Sequence, residues 1–362
     1  MSCKSIAVEN FSLKKCLYCD ETELNITFTS QEHVFPAGLG GIFQLPVGIV
    51  CDKCNTEVFS RLELDFIRNS IIGLPRQFYG PGKRGSLNPD DASSSLVHLM
   101  AFADDSNEKA LGVMRTGIPF QIPQFRFLGS ETVAIVLDPR YGGVDDQLAD
   151  FSKAMRSFTG KSKFVYLTDE LLQEDEMYFG FWEDKYYLCA MERRSVSSVL
   201  EYLDLVRKGE LVEITERNYK KTQVQSRQRF GFNTRAFERV SAKIAFNALC
   251  FLNSSDFCRR PQFDSIRRFI ANGGQNTFVS LLDASHELLN IHLNVAFPLL
   301  SHRVFFFPAN EQGHLALLNF YGKFNIVIRL ATKPTPKGSF VGIICDWRNR
   351  KDYVLNDYMK SF

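Results

Sequence analysis

The sequence predicts an α+β protein: a small metal-clamped N-terminal module followed by a larger mixed α+β domain with a mainly antiparallel sheet. Three observations lead there. Two Cys-x-x-Cys pairs, Cys16/Cys19 and Cys51/Cys54, stand close to the N-terminus. Behind them, turn formers crowd together at Gly73-Leu74-Pro75, from Tyr79 to Ser86 and at Asn88-Pro89, which breaks periodicity and sets a boundary near residue 85. Beyond it helical and alternating patterns mix, and the chain after Ile291 reads almost wholly as strands. The expected domains are therefore 1–85 and 86–362.

Taken in order, Val58, Phe59, Leu62, Phe66 and Ile67 fit one face of a helix that starts after Asn55 and ends near Gly73. Thr132 to Leu137 is a predicted strand, and Met177 to Met191 a hairpin turning at Glu183-Asp184. Helical spacing runs from Val196 to Arg207 with Gly209 as its stop, from Arg235 to Leu252, and from Phe263 to Ala271 ahead of Gly273-Gly274. Strands are predicted for Ile291 to Leu299, Arg303 to Pro308, His314 to Leu330 with a break at Gly322-Lys323, and Phe340 to Trp347. Phe305-Phe306-Phe307 cannot share one side of a strand, so that sheet should be covered on both faces.

Composition narrows the class. With 362 residues, 45% of them hydrophobic and 23% charged, the chain has ample material for a core. Its 43 basic and 41 acidic residues nearly balance, so any binding of a polyanion has to come from a local surface. Lys4, Glu9, Lys14 and Lys15 interrupt the N-terminus where a secretory signal would be apolar, and no run reaches membrane-spanning length. A cytoplasmic setting is expected, in which nine cysteines are thiols or metal ligands rather than a disulfide framework. Cys3, Cys189, Cys250, Cys258 and Cys345 lack partner spacing and are expected to be small buried hydrophobes. His98, His286, His292, His302 and His314 show no ligand or triad arrangement, and no phosphate-binding glycine loop is present.

Chemistry concentrates near the cysteines. Two thiolate pairs of this spacing close a tetrahedral zinc site from two tight turns and leave no open position, so the zinc is structural. Between them lie Gln31-Glu32-His33-Val34-Phe35-Pro36 and the Leu39-Gly40-Gly41 turn, and Asn55 follows the fourth cysteine directly. A neutral imidazole suits proton abstraction near pH 7. Carboxylate and carboxamide oxygens suit a hard divalent cation, although Asn is also a strong helix N-cap.

Four cysteines in this order, around a Glu-His-Val-x-Pro segment and a Cys-Asp-x-Cys-Asn helix start, resemble the zinc-containing branch of the HNH endonucleases, the ββα-metal fold, over roughly residues 14 to 72. The resemblance implies His33 as general base, Glu32 and Asn55 as ligands of one catalytic Mg²⁺ or Mn²⁺, and hydrolysis that leaves a 5′ phosphate. Neighbouring strand residues face opposite ways, so Glu32 and His33 need a bulge or strand end to serve one ion. The family's second histidine has no counterpart, since no histidine occurs between His33 and His98. Glu63, about 80° around an ideal helix from Asn55, is a further candidate ligand or a solvated glutamate.

Arg217, Lys220, Lys221, Arg227, Arg229, Arg235, Arg239 and Lys243 face only Glu216 and Glu238 within one stretch, with Tyr219, Phe230 and Phe232 interleaved for stacking. Lys220, Lys221, Arg227, Arg229 and Arg235 are the candidate contacts to nucleic acid. A second basic group, Arg259, Arg260, Arg267 and Arg268, and the set Arg76, Lys83 and Arg84 are weaker candidates; one of Arg267 and Arg268 is expected to pair with Asp264.

The reading is a metal-dependent endonuclease with DNA favoured over RNA, no membrane partner, and a homodimer or sequential nicks if both strands are cut. Residues 86–362 would position substrate, oligomerise or regulate. In outline the architecture is similar to restriction and antiphage defence proteins. The rivals are a non-catalytic zinc module that binds nucleic acid or protein, and a nuclease gated by a small-molecule or protein activator with the C-terminal domain as sensor.

Overall fold

A computed structural model describes residues 13–81, 96–102, 108–128, 132–170, 172–192, 196–207, 224–226, 232–282, 296–307, 313–331 and 340–361. Lys220, Lys221, Arg227, Arg229, Lys83, Arg84, Cys3, His286 and His292 lie outside them. The chain forms two compact units, residues 1–87 with 231–362, and residues 88–230. Residues 231–362 pack with 1–87 in this division, whereas the expected domains were 1–85 and 86–362.

In the first unit the helix after the second cysteine pair opens as wide turns over Lys53–Phe59, where the Ser60 amide reaches back to the Asn55 carbonyl. It continues as α1 (Ser60–Asn69) and is followed by α2 (Gly73–Tyr79). Gly73-Leu74-Pro75 therefore starts a helix instead of a loop, because proline at a first turn has no amide that needs a partner.

The second unit holds β1 (His98–Phe102), β2 (Lys109–Arg115), β3 (Ile118–Gln121), β4 (Gln124–Leu128), β5 (Thr132–Val136), α3 (Val144–Ser157), β6 (Phe164–Thr168), β7 (Glu176–Trp182), β8 (Lys185–Ala190), α4 (Val196–Arg207) and β9 (Val224–Ser226). One sheet runs β3-β2-β1-β9, the other β5-β4-β7-β8-β6 with its β6–β8 pair parallel. Alternation on β7 explains the layering: Met177 and Phe179 face a core shared with α3 and α4, while Tyr178 and Trp182 face Leu99, Leu111 and Val113 of the other sheet. Glu183 and Asp184 turn the expected hairpin with positive φ.

Back in the first unit come α5 (Thr234–Leu252), α6 (Ser255–Cys258), α7 (Asp264–Asn272), β10 (Val279–Leu281), β11 (His302–Phe306), β12 (His314–Phe320), β13 (Phe324–Ala331), β14 (Val341–Asp346), β15 (Lys351–Val354) and α8 (Leu355–Met359). The strands form an antiparallel sheet in the order β10-β13-β12-β11-β14-β15. Residues 296–299, the described part of the strand expected from Ile291 to Leu299, are not in a strand. Phe306 points into the main core and Phe305 into a smaller one with Ile344, Leu355 and Tyr358, so this sheet is covered on both faces; Phe307 is 36% exposed.

Helix α5 is the axis of this unit. Every residue from Val240 to Cys250 is buried, more than the one-sided pattern of Phe237, Val240, Ile244 and Phe251 suggests. Its core is continuous with Cys16, Leu17, Tyr18, Val34, Phe35, Phe59 and Phe66 on one side and the sheet on the other. The N-terminus of α5 is pinned to α1: Asn233 caps Ala236, and its backbone amide donates to the Asn69 carbonyl at 2.7 Å.

Candidate metal centre and acid–histidine site

The first cysteine pair sits on a turn closed by the Cys16 amide donating to the Glu21 carbonyl at 2.7 Å; the Leu17 amide reaches Ile49 O, just before the second pair, at 2.8 Å. The four sulfurs lie within 4.8 Å of one another, with Cys16–Cys54 at 3.8 Å and Cys19–Cys51 at 3.6 Å. A tetrahedral zinc with bonds of about 2.3 Å needs edges of about 3.8 Å, so the residues fit the ion. Amides of Tyr18 and Cys51 point at the Cys16 sulfur at 3.5 and 3.4 Å, and the Cys54 amide points at Cys51 at 3.4 Å, which favours thiolate.

Two arginines from the second basic group anchor this clamp. Arg267 donates to Leu17 O at 3.0 Å, Asp20 Oδ1 at 3.1 Å and Asp264 Oδ1 at 2.6 Å, which includes the expected Asp264 pair. Arg259 donates to Lys15 O. Arg76 is buried and donates to Gly38 O at 3.0 Å, so it too is structural.

Asp52, between the last two cysteines, ties the clamp to the acid–histidine segment. It accepts from the Thr29 amide at 3.0 Å, the Ser30 amide at 2.9 Å and the Ser30 hydroxyl at 2.6 Å. The Ser30 hydroxyl, first among these donors, holds its carboxyl well below the ordinary range. Asn55 adds a second tie, its Nδ2 donating to Ser30 Oγ at 3.1 Å and Gln31 O at 3.0 Å. With the amide nitrogen so directed, Oδ1 is turned away from residues 30–31. The Cys-Asp-x-Cys-Asn spelling carried this signal; the role of Asp52 was missed.

Glu32 and His33 lie on a minimal hairpin, joined by a single His33–Gln44 bridge with Leu45 N to Glu32 O at 2.7 Å and Val34 N to Phe43 O at 2.8 Å. The turn behind it demands glycine twice. Gly40 has φ +84°, and a Cβ on Gly41 would lie 2.1 Å from Phe35 O. Asp352 of β15 holds the returning strand by accepting from Ile42 N at 2.8 Å and Phe43 N at 2.7 Å.

The two side chains face different neighbours. His33 is half-buried, with its Nε2 2.9 Å from Gln44 Nε2. The Gln44 carboxamide is thus the ring's partner at Nε2, and which nitrogen carries the ring proton follows which end of that amide faces it. Burial first, then Lys243, lowers the His33 pKa against the opposing pull of Glu63 and Asp352, so the ring is neutral at pH 7. Glu32, only 3% exposed, faces α5, where its Oε1 meets Lys243 Nζ and accepts from Asn247 Nδ2 at 3.2 Å. Burial pushes Glu32 up to about 7 while Lys243 pulls against it.

Glu63 also pairs with Lys243. Among the described residues the four cysteines are the group of three or more His, Cys, Asp or Glu side chains whose ligand atoms gather in one place; Glu32, His33 and Glu63 do not form another. Of the basic stretch, Arg235 is exposed, but Arg239 donates to Ile270 O and Ala271 O at 2.8 and 2.7 Å, and Lys243 is fully buried. Lys243 is interior, and the half-buried Arg239 spends its guanidinium on carbonyls at the end of α7, contrary to their reading as part of a backbone-binding surface. Lys243 and Asn247 are the site residues the sequence reading missed. Their signal is two polar residues one helical turn apart inside an apolar run.

Clamp, hairpin and helix together define a zinc-organised module with a buried glutamate beside a half-buried histidine. Residues 16–71 match the family model of the HNH endonuclease, which supports a nuclease module with nucleic acid as its substrate class. No curated protein and no solved structure matches the chain. No described helix is long and apolar enough to cross a membrane.

Proposed function

We propose that the protein is a metal-dependent endonuclease that hydrolyses phosphodiester bonds, DNA before RNA, with His33 as general base. The match of residues 16–71 to the HNH endonuclease family carries the reading. His33, kept neutral by burial and oriented by Gln44, takes the proton of the attacking water. Glu32 and Asn55 supply hard oxygens for a divalent cation, and that donor chemistry fits Mg²⁺ or Mn²⁺. When bound, such an ion supplies Lewis-acid stabilisation of charge on the phosphate and the leaving oxygen. Glu32 would be held in place for that role by Lys243 and Asn247. Asn55 is aimed by Ser30 and Gln31, and through them by Asp52 and the clamp. Arg235, exposed at the start of α5, is a candidate phosphate contact.

The test is cleavage of plasmid DNA, with RNA in parallel, over a range of Mg²⁺ and Mn²⁺ by the zinc-loaded protein and by His33→Ala of equal zinc content. The variant should lose about 100-fold or more in rate. Equal rates for the two, or no cleavage by either under any condition, including with cell extract as a source of activator, overturns the reading.

A further inference from the structure

Helix α5 brings to the acid–histidine segment a charge that residues 16–71 do not contain. Lys243 has no exposed surface, and its Nζ meets Oε1 of both Glu32 and Glu63. Beneath it the Phe59 ring lies 5.2 Å away. One turn along, Asn247 uses its whole carboxamide: it accepts from the Tyr18 hydroxyl and donates to Glu32 Oε1 at 3.2 Å and His33 O at 2.9 Å. Lysine and asparagine thus hold both the carboxylate and the backbone of the Glu32-His33 pair.

Two carboxylates that converge in a poorly solvated place repel unless a cation lies between them. Phosphoryl-transfer sites commonly use divalent ions there, sometimes two. Here the position is filled by an ammonium on a buried stem, a compact charge with three donors that cannot diffuse away.

We propose that Lys243 is a tethered cation of this site, a positioning residue that holds Glu32 and Glu63 together beside His33 and keeps a free divalent ion out of the space between them. Its catalytic consequence rests on the nuclease reading above; the charge arrangement does not. Glu63 is then the partner of Lys243 and not a ligand of the reaction's metal.

Lys243→Met removes the charge and nearly keeps the volume. In the full-length zinc-loaded protein without nucleic acid, Mn²⁺ is titrated by calorimetry and thermal melting is followed at each concentration. The variant should take up one more Mn²⁺ per chain than wild type, or bind it on the order of tenfold tighter, and its melting temperature should climb with Mn²⁺ more than wild type's does. Lys243→Arg, which restores the charge, and the double variant K243M/E63Q, which removes the second carboxylate, should both abolish the gain. DNA cleavage by Lys243→Met should stay at least about tenfold below wild type even at saturating Mn²⁺, because binding energy placed between the wrong oxygens does not serve the transition state.

An unchanged Mn²⁺ titration in a folded Lys243→Met variant of full zinc content overturns the proposal, as does a gain that survives E63Q. A variant that unfolds and is not restored by Mn²⁺ also overturns it, since the ammonium is then not replaceable by a cation. Wild type that never cleaves, with the Mn²⁺ gain present, sinks the nuclease reading alone.

Discussion

The zinc clamp and the acid–histidine pocket lie in the same small module but are built in opposite ways. All four clamp ligands fall between Cys16 and Cys54, and amides of neighbouring residues tune the sulfurs. The pocket draws Glu63 from α1, Lys243 and Asn247 from α5, and Asp352 from β15. Metal ligation needs a few soft donors at bonding distance, which two tight turns supply. A buried acid beside a base needs charge compensation and desolvation from several directions, and only long-range packing supplies those.

Loss of a clamp ligand should do the most damage. Cys51→Ser should cost the bound zinc and the ordering of residues 13–72, with the largest fall in melting temperature of any single change and complete loss of cleavage, read by zinc content and calorimetry. If the variant keeps its zinc and its melting point, the clamp does not organise the module.

Lys243→Ala comes next. It strands Glu32 and Glu63 without their cation, and loss of one partner of a buried ion pair costs about 3–5 kcal/mol. Chemical denaturation should register that loss with zinc still bound. A cost within error of zero would show that the pocket does not depend on α5.

Asp352→Ala and Asp52→Ala sharpen the contrast on a smaller scale. The first leaves the Ile42 and Phe43 amides without their acceptor, worth about 1–3 kcal/mol. The second frees Thr29 and Ser30, which lie nearer solvent, and should reduce cleavage more than stability because it releases Asn55 from its aim. Denaturation midpoints and cleavage rates of the two variants, compared side by side, test that order.

The smallest effect is in pH. Burial pushes His302 down to about 3, with Arg303 adding to it, and the unfolded chain therefore binds the proton first. Stability linked to this group is complete above pH 6.5 and is lost as pH falls toward about 3. The informative quantity is a difference, and His302→Phe should flatten the acid side of the stability profile relative to wild type. An unchanged slope would mean that His302 does not stay neutral.

Much of the fold was legible from local pattern. The Glu183-Asp184 hairpin, the helices at 196–207, 235–252 and 264–272, and the strands broken at Gly322-Lys323 all follow from periodicity and turn residues. The helix at Gly73–Tyr79 did not, because Pro75 reads equally as a turn and as a first-turn residue. The arc between Asn55 and Glu63 did not either, since the wide turns of Lys53–Phe59 depart from regular helical spacing.

Within the site, the cysteine spacing was enough for the clamp, and the four cysteines with Glu32, His33 and Asn55 in order were enough for the resemblance that the match over residues 16–71 bears out. The partners of those residues were decided by the tertiary structure. Arg239 and Lys243 look, in the chain, like part of one basic surface with Arg235; packing exposes the first residue of that series and turns the other two inward. Spacing can specify ligands that bind the same ion, because the ion imposes its own short-range geometry. Which charges are desolvated, and by what they are compensated, depends on groups some two hundred residues apart, and no local pattern encodes that distance.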